Sequence, residues 1–256
     1  MKHSYQFLCL LLALLWTTAT ASAVPGRAEV VKVVGTATVS KAAGGSASIT
    51  QGMVLGTGDT VTTGANSTVD LNLGLNGDFL RVDPDSSLKI DNLDIANIAD
   101  RTVTTQLNVN RGGITGNVVN KLTKASKYEI KSASGVAGIR GTVYSIKLNP
   151  NGTIARIVVT SGTVTFIDRG VTITISALNG AKAYQPAAAG TTPTQESVRA
   201  ATDAEKTDIA TAVNNMGTGG GRAALGGDVT VINNPADVST SISPVQPANN
   251  PPQKKK

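Results

Sequence analysis

Few residues in this chain can do chemistry unaided. The one cysteine, Cys9, and the one histidine, His3, both fall among the first ten residues. The remainder therefore offers no thiol nucleophile, no imidazole base near neutral pH and no His/Cys set for zinc, iron or copper. What is left is the carboxylate, lysine, tyrosine or serine chemistry of glycosidases, lyases and Ser-Lys dyads. Ser132 and Ser134 stand beside Lys131, but neither a G-x-S-x-G elbow nor an S-x-x-K motif frames them. Asp83, Asp85, Asp91 and Asp94 have the oxygen ligands Ca²⁺ prefers, yet the EF-hand order and its central glycine are missing. Gly219-Gly220-Gly221-Arg222-Ala223-Ala224 satisfies G-x-G-x-x-A without the preceding strand that a dinucleotide site requires. The expectation is a non-enzyme with no catalytic residue, no cofactor and no metal.

Two basic features stand out instead. Arg140 lies in Gly138-Ile139-Arg140-Gly141-Thr142, where flanking glycines let the backbone turn tightly and leave the guanidinium free to fork onto carbonyls or a carboxylate. That arrangement predicts a structural clamp ahead of a ligand contact. Lys121, Lys124, Lys127 and Lys131 form a second group, a candidate face for an anionic partner. They belong to a wider asymmetry: Asp59 to Asp100 holds eight acidic residues against Arg81 and Lys89, and Arg101 to Lys147 holds eight basic residues against Glu129 alone. The competing account is that the two halves neutralise one another across neighbouring strands. Nucleic acid is not expected as a partner, because aromatic residues for base stacking are only 3% of the chain.

The elements that must position these residues are strands. From Glu29 to about Tyr184, Val, Ile and Thr alternate with period two, as in Thr68-Val69-Asp70-Leu71-Asn72-Leu73 and Val171-Thr172-Ile173-Thr174-Ile175. Turn signals fall at Gly44-Gly45, Asn76-Gly77, Asn151-Gly152, Arg169-Gly170 and Asn179-Gly180. Residues 24–185 thus read as one all-β domain, either a compact sandwich or a β-solenoid or roll. Residues 186–216 read as a linker and one short helix: Thr192 to Gln195 supply a cap, a first-turn proline and a capping-box glutamine, and the helix runs to about Met216. Its apolar stripe of Val198, Ala201, Ile209, Ala212, Val213 and Met216 predicts packing against the β-domain. Residues 217–256, rich in Gly, Pro, Asn and Ser, lack the apolar content to fold alone and read as a disordered tail.

Residues 1–23 have the pattern of a secretory signal peptide: Lys2 at the start, an apolar run from Phe7 to Trp16, and Ala21-Ser22-Ala23 as the cleavage site. The run is shorter than the roughly 20 residues that span a bilayer. The expected mature chain begins at Val24, carries no integral membrane segment, and is periplasmic or secreted. Without Lys2 its net charge is 22 − 17 = +5.

Four blocks in sequence carry a family resemblance. Gly52 to Leu71 includes Gly56-Thr57-Gly58-Asp59-Thr60-Val61; Leu80-Arg81-Val82-Asp83-Pro84-Asp85-Ser86 follows; then come Tyr128-Glu129-Ile130-Lys131 with Gly138-Ile139-Arg140-Gly141-Thr142, and Val159 to Val164. Together, over roughly residues 29 to 184, they resemble the FecR-like periplasmic domain. The resemblance implies a compact, β-roll-like fold in which Gly58, Asp59, Gly138, Arg140, Gly141 and Thr142 are structural signature residues, with Asp59 capping amides in a turn. It also implies docking on another cell-envelope component, a protein or an anionic polysaccharide. FecR proteins relay a metal-uptake signal to a cytoplasmic sigma factor through an anti-sigma segment and a membrane helix. Here a signal peptide stands in their place, so only the sensing or docking half is expected to carry over. Two other readings stay open: a lyase or glycosidase built on a β-solenoid, and a structural surface or matrix protein.

Overall fold

The computed structural model describes residues 23–118, 122–186 and 192–216. Within them, alternation builds strands and glycine ends them. All five turn signals lie in turns, with positive φ at Gly44, Gly45, Gly77, Gly152, Arg169, Gly170 and Gly180. The strands are β1 (Val24–Pro25), β2 (Ala28–Val34), β3 (Ala37–Ser40), β4 (Ser46–Ser48), β5 (Val54–Leu55), β6 (Thr60–Thr63), β7 (Thr68–Asn72), β8 (Phe79–Val82), β9 (Ser87–Asn97) and β10 (Thr102–Arg111). They continue with β11 (Gly113–Asn117), β12 (Lys127–Ser132), β13 (Gly135–Leu148), β14 (Ile154–Asp168), β15 (Val171–Ser176), β16 (Lys182–Tyr184) and β17 (Val198–Ala200), followed by helix α1 (Asp203–Asn214).

These strands form one curled sheet with two wings. The first runs β5-β2-β7-β8-β11, then the second half of β13, the first half of β14, β16 and β17. The second runs β4-β3-β6-β9-β10-β12, then the first half of β13, the second half of β14, and β15. Only β10 and β12 pair in parallel among the described residues. A solenoid of stacked parallel strands is therefore not the architecture; the roll-like, sandwich-like alternative is.

The long β13–β14 hairpin belongs to both wings. It bends where the register slips between Arg140 and Val143. There Gly141 (φ 58°) faces Gly162 (φ 77°), so close that a Cβ on Gly162 would lie 2.2 Å from the Gly141 carbonyl oxygen. Only glycine permits that approach with that backbone.

A single apolar cluster fills the space between the wings, joining Leu71 and Leu80 of one to Val61, Leu107 and Ile130 of the other. Tyr128 and Tyr144 meet inside it, their hydroxyls 3.2 Å apart, and burial pushes both phenols well above their ordinary pKa. Side chains at Gly77 and Gly116 would strike the rings of Tyr128 and Tyr144 at 2.1 and 2.2 Å respectively, so these two glycines make room for the pair.

The helix differs from the sequence expectation at its start. Thr202 is the N-cap, and a reciprocal capping box joins it to Glu205. Residues Thr192 to Gln195 lie outside the helix; Gln195 instead pairs its carboxamide with the backbone of Thr174, on the free edge of β15, at 2.8 and 2.7 Å. Val198 is in β17 and Ala201 precedes the helix, so the first part of the stretch expected to be helical adds a strand to the sheet instead. The packing expectation holds: Ile209, Val213 and Met216 bury against Val158, Ala183 and Ala201. Residues 187–191 and the expected tail, with its Gly219 to Ala224 pattern, lie outside the described residues, as does the signal segment up to Ser22.

Ion pairs fix α1 across the outer face of the first wing. Glu205 accepts from Arg199 at 2.7 and 2.9 Å and from Arg156 at 3.0 Å, while Lys32 donates to the Asn215 carbonyl at 3.0 Å at the other end. The hydrogen bonds from Arg199 outweigh the opposing effect of burial and, with the Thr202 amide and Arg156, hold the Glu205 carboxyl down at about 2. Its folded pKa lies below its unfolded value, so the anchor contributes fully above about pH 4.5 and is lost as pH falls towards 2. In Glu205→Gln, that part of the pH dependence of thermal unfolding should flatten, with a cost of about 1–3 kcal/mol at neutral pH. An unchanged acid limb in the variant would mean that Glu205 is not the anchor.

Candidate functional site

The two outer faces differ: α1 lies across one and, among the described residues, no element covers the other. Strand alternation sends Ala137, Ile139, Val164, Phe166, Ile173 and Ile175 into the core, and the intervening residues outward. The register then aligns them in rows. One row reads Ser40, Thr60, Lys89, Asn108, Lys131, Val136, Ile167 and Thr172. The next reads Asn92, Gln106, Glu129, Gly138, Thr165 and Thr174. Thr104 pairs with Lys127 on one side of this face, and Arg140, Thr163 and Ser176 pair in order on the other. The result is a broad, mostly polar surface of hydroxyls and amides, with Lys127, Lys131 and Arg140 on it and Val136 and the exposed Ile167 in one of its rows.

Arg140 is not the buried clamp that its flanking glycines suggested. It is exposed, and among the described residues no hydrogen bond or ion pair engages its guanidinium. The glycines serve the backbone: Gly141 meets Gly162 at the bend, while Gly138 leaves a shallow place between Glu129 and Thr165 on the face. Thr142 is buried with its hydroxyl unpaired among the described residues and its methyl close against Gly162, so it packs at the same bend.

The lysines divide. Lys127 bonds Glu129 at 2.9 Å, and Glu129 also accepts from Gln106 at 3.0 Å. Burial would raise the Glu129 pKa, but these partners outweigh it and hold it below the ordinary value. Lys131 bonds Asp91 at 3.2 Å, and Lys89 reaches the same carboxylate at 3.5 Å. Lys147 pairs with Asp83. Pairing between the acidic and basic halves is thus real for Lys131 and Lys147. Lys124 is exposed, and Lys121 lies outside the described residues.

The other candidates resolve into structure. Asp59 is buried and accepts from Lys41 at 2.8 Å and from the amides of Ala42 and Gly56, each at 3.0 Å. Burial pushes its pKa up, but the lysine and the amides prevail and hold it below the usual carboxylate value. Gly58 (φ 90°) forms the turn that presents it. Ser134 accepts from the Ile154 amide at 2.9 Å and Ser132 donates to the Gly135 carbonyl at 3.2 Å, while Lys131 is turned to Asp91, so no Ser-Lys dyad forms. Asp83, Asp85, Asp91 and Asp94 do not converge, and among the described residues no cluster of three or more His, Cys, Asp or Glu side chains could hold a metal. An open hollow of about 540 Å³ ends the face, lined by Lys131, Ser134, Val136, Ile167 and Arg169 among others.

Sequence reasoning missed the pair Asp70 and Arg81. They are opposite each other in β7 and β8, buried, and joined by two hydrogen bonds of 2.6 and 2.8 Å. The signal was available: opposite charges in alternating segments on either side of the Asn76-Gly77 turn.

The model of the FecR family, described as "FecR protein", matches residues 59–165. Residues 59–165 are a FecR domain. The match takes in Asp59, Arg81, Tyr128 and the whole Gly138 to Thr142 segment and stops before α1, so the helix that covers the first wing lies outside the matched FecR region. No curated protein matches the chain. Two crystal structures of a candidate anti-sigma factor from Parabacteroides distasonis ATCC 8503 are loosely similar, at 8% identity and a TM-score of 0.37 each. The match spans 49% of this chain and 54% of theirs, about half the length of each. Among the described residues, no helix is long and apolar enough to cross a membrane.

With its guanidinium in solvent, Arg140 should be dispensable for stability. Arg140→Lys and Arg140→Ala should each change the unfolding free energy by less than about 0.5 kcal/mol. A loss of 2 kcal/mol or so in urea titrations would restore the clamp.

Proposed function

We propose that the protein is a non-enzymatic binding module of the cell envelope, and that the uncovered outer face of the second wing docks on another envelope component. The observation that carries this is the contrast between the faces. The FecR domain places Arg140 and Lys127 outward among rows of threonine, asparagine and glutamine, while its buried charges are consumed in structural pairs. Rows of hydroxyl and amide groups with scattered cations suit a polymer that offers hydroxyls and carboxylates, since each contact can be a charge-assisted or neutral hydrogen bond. The chain reaches its partner by export, with residues 1–23 removed so that the mature protein begins at Val24 in the periplasm or outside the cell.

Retention on an anionic polysaccharide column, at low and high salt, tests the docking reading with wild type and a Lys124→Gln/Lys127→Gln/Arg140→Gln variant. Exposed charges contribute only about 0–1 kcal/mol each to folding, so the variant should stay folded and lose retention. Wild-type retention should fall as salt shortens the Debye length below about 10 Å. Equal retention of both proteins would remove the anionic polymer and leave an envelope protein as the docking partner. Export is checked separately by N-terminal sequencing from cell fractions: Val24 as first residue is expected, and an intact Met1 in the membrane fraction would contradict it.

A further inference from the structure

One row of the uncovered face breaks its polar pattern. Val136 and Ile167 are directly opposite each other in β13 and β14, between Lys131 and Thr172, and Ile167 is 47% exposed. Both residues line the open hollow of about 540 Å³ that ends the face. That volume lies within the roughly 300–1,000 Å³ of small-molecule sites. Among the lining residues Lys131 and Arg169 are basic and none is acidic, and Ser132 and Ser134 add hydroxyls. A hollow with an apolar patch, two cations and no anion is complementary to a ligand with an apolar face and a negative charge.

Arg169 is held there against backbone strain. It opens the two-residue loop Arg169-Gly170 between β14 and β15, across which Asp168 pairs with Val171, and both loop residues have positive φ, 47° and 82°. Such a loop favours asparagine, aspartate or glycine at its first position, so a long side chain there is strained. The guanidinium is also positioned. Its Nε and Nη2 donate to the Asp168 carboxylate at 3.1 and 3.4 Å, and the buried Asp168 is fixed in turn by the Tyr184 hydroxyl at 2.9 Å. Nη1 has no hydrogen-bond partner among the described residues. Lys131 is steadied in the same way, by Asp91 at 3.2 Å.

We propose that this hollow is the subsite for one carboxylate-bearing sugar unit, a uronate, of the polymer that docks on the second wing; the inference rests on that docking reading. The C–H face of the sugar ring lies on Val136 and Ile167, and its carboxylate accepts from Nη1 of Arg169, with Lys131 adding to the positive field. Each cation already faces a carboxylate of the protein, Asp168 or Asp91, so the remaining field suits a monoanion rather than a phosphate dianion. Because the hollow is open to solvent, the polymer runs on from it along the rows of threonine, asparagine and glutamine.

Titration calorimetry of the full chain with a galacturonate trimer, and with maltotriose as a neutral trimer, tests this. Wild type should bind the acidic trimer at least about tenfold more tightly than the neutral one. Arg169→Gln should lower that affinity by at least about tenfold, and Ile167→Ser, which leaves the Arg169–Asp168 pair in place, by at least about threefold. Unchanged trimer affinity in both variants, with wild type still retained on a polygalacturonate column, would overturn the hollow as the subsite and leave the docking reading standing. Failure of that column to retain wild type would overturn polymer docking and the subsite with it. Equal affinity of wild type for the two trimers would overturn the uronate as the occupant.

Discussion

The fold depends on one close backbone approach. At Gly141 and Gly162 the β13–β14 hairpin leaves one wing and enters the other, and no residue with a side chain fits at Gly162 without striking the Gly141 carbonyl. Everything else follows from that crossing. It lets a single hairpin carry both wings, sets them facing each other across one core, and so creates two outward faces with different fates. The signature segment Gly138 to Thr142 lies at this point because the backbone needs it there.

The fates of the faces then decide what the molecule can do. On the first wing, buried polar groups are tied off: Asp70 with Arg81, and Glu205 with Arg156 and Arg199, while α1 covers the apolar remainder. Leaving one member of such a pair alone costs more than the pair contributes, so this face is committed to structure. On the second wing the charges sit at the surface, where a carboxylate or hydroxyl from outside can replace water with little penalty. Among the described residues, no cluster of three or more His, Cys, Asp or Glu side chains that could hold a metal lies there.

Much of this was legible in the residues. Alternation marked the strands, dipeptides ending in glycine marked the turns, and Asp59 after Gly58 marked a capped turn. The FecR resemblance rested on blocks that the matched span contains, apart from residues before Asp59. What the sequence hid was the identity of partners far apart in the chain. Glycines around Arg140 suggested an arginine that needed room, but the group needing room is the backbone at Gly162, which no local spacing reveals. The helix start was misplaced because Thr192 to Gln195 and Thr202 to Glu205 both carry capping signals; Gln195 had a competing use on the edge of β15. Of the basic cluster, Lys131 is engaged by Asp91, forty residues earlier, through a register that only the folded sheet defines.

The crossing can be tested against a control in the turn that follows β14. Gly162 and Gly170 have nearly the same positive φ, 77° and 82°, but a side chain at Gly170 would meet nothing within 4 Å. Alanine at Gly170 should therefore cost only the backbone strain of that region, about 1 kcal/mol. Alanine at Gly162 adds a clash with the Gly141 carbonyl and Thr142, and should cost at least about 2 kcal/mol more in equilibrium urea unfolding, or abolish folding. Equal costs for the two substitutions would contradict the account, because the sheet would then fold over without the close approach on which its two wings depend.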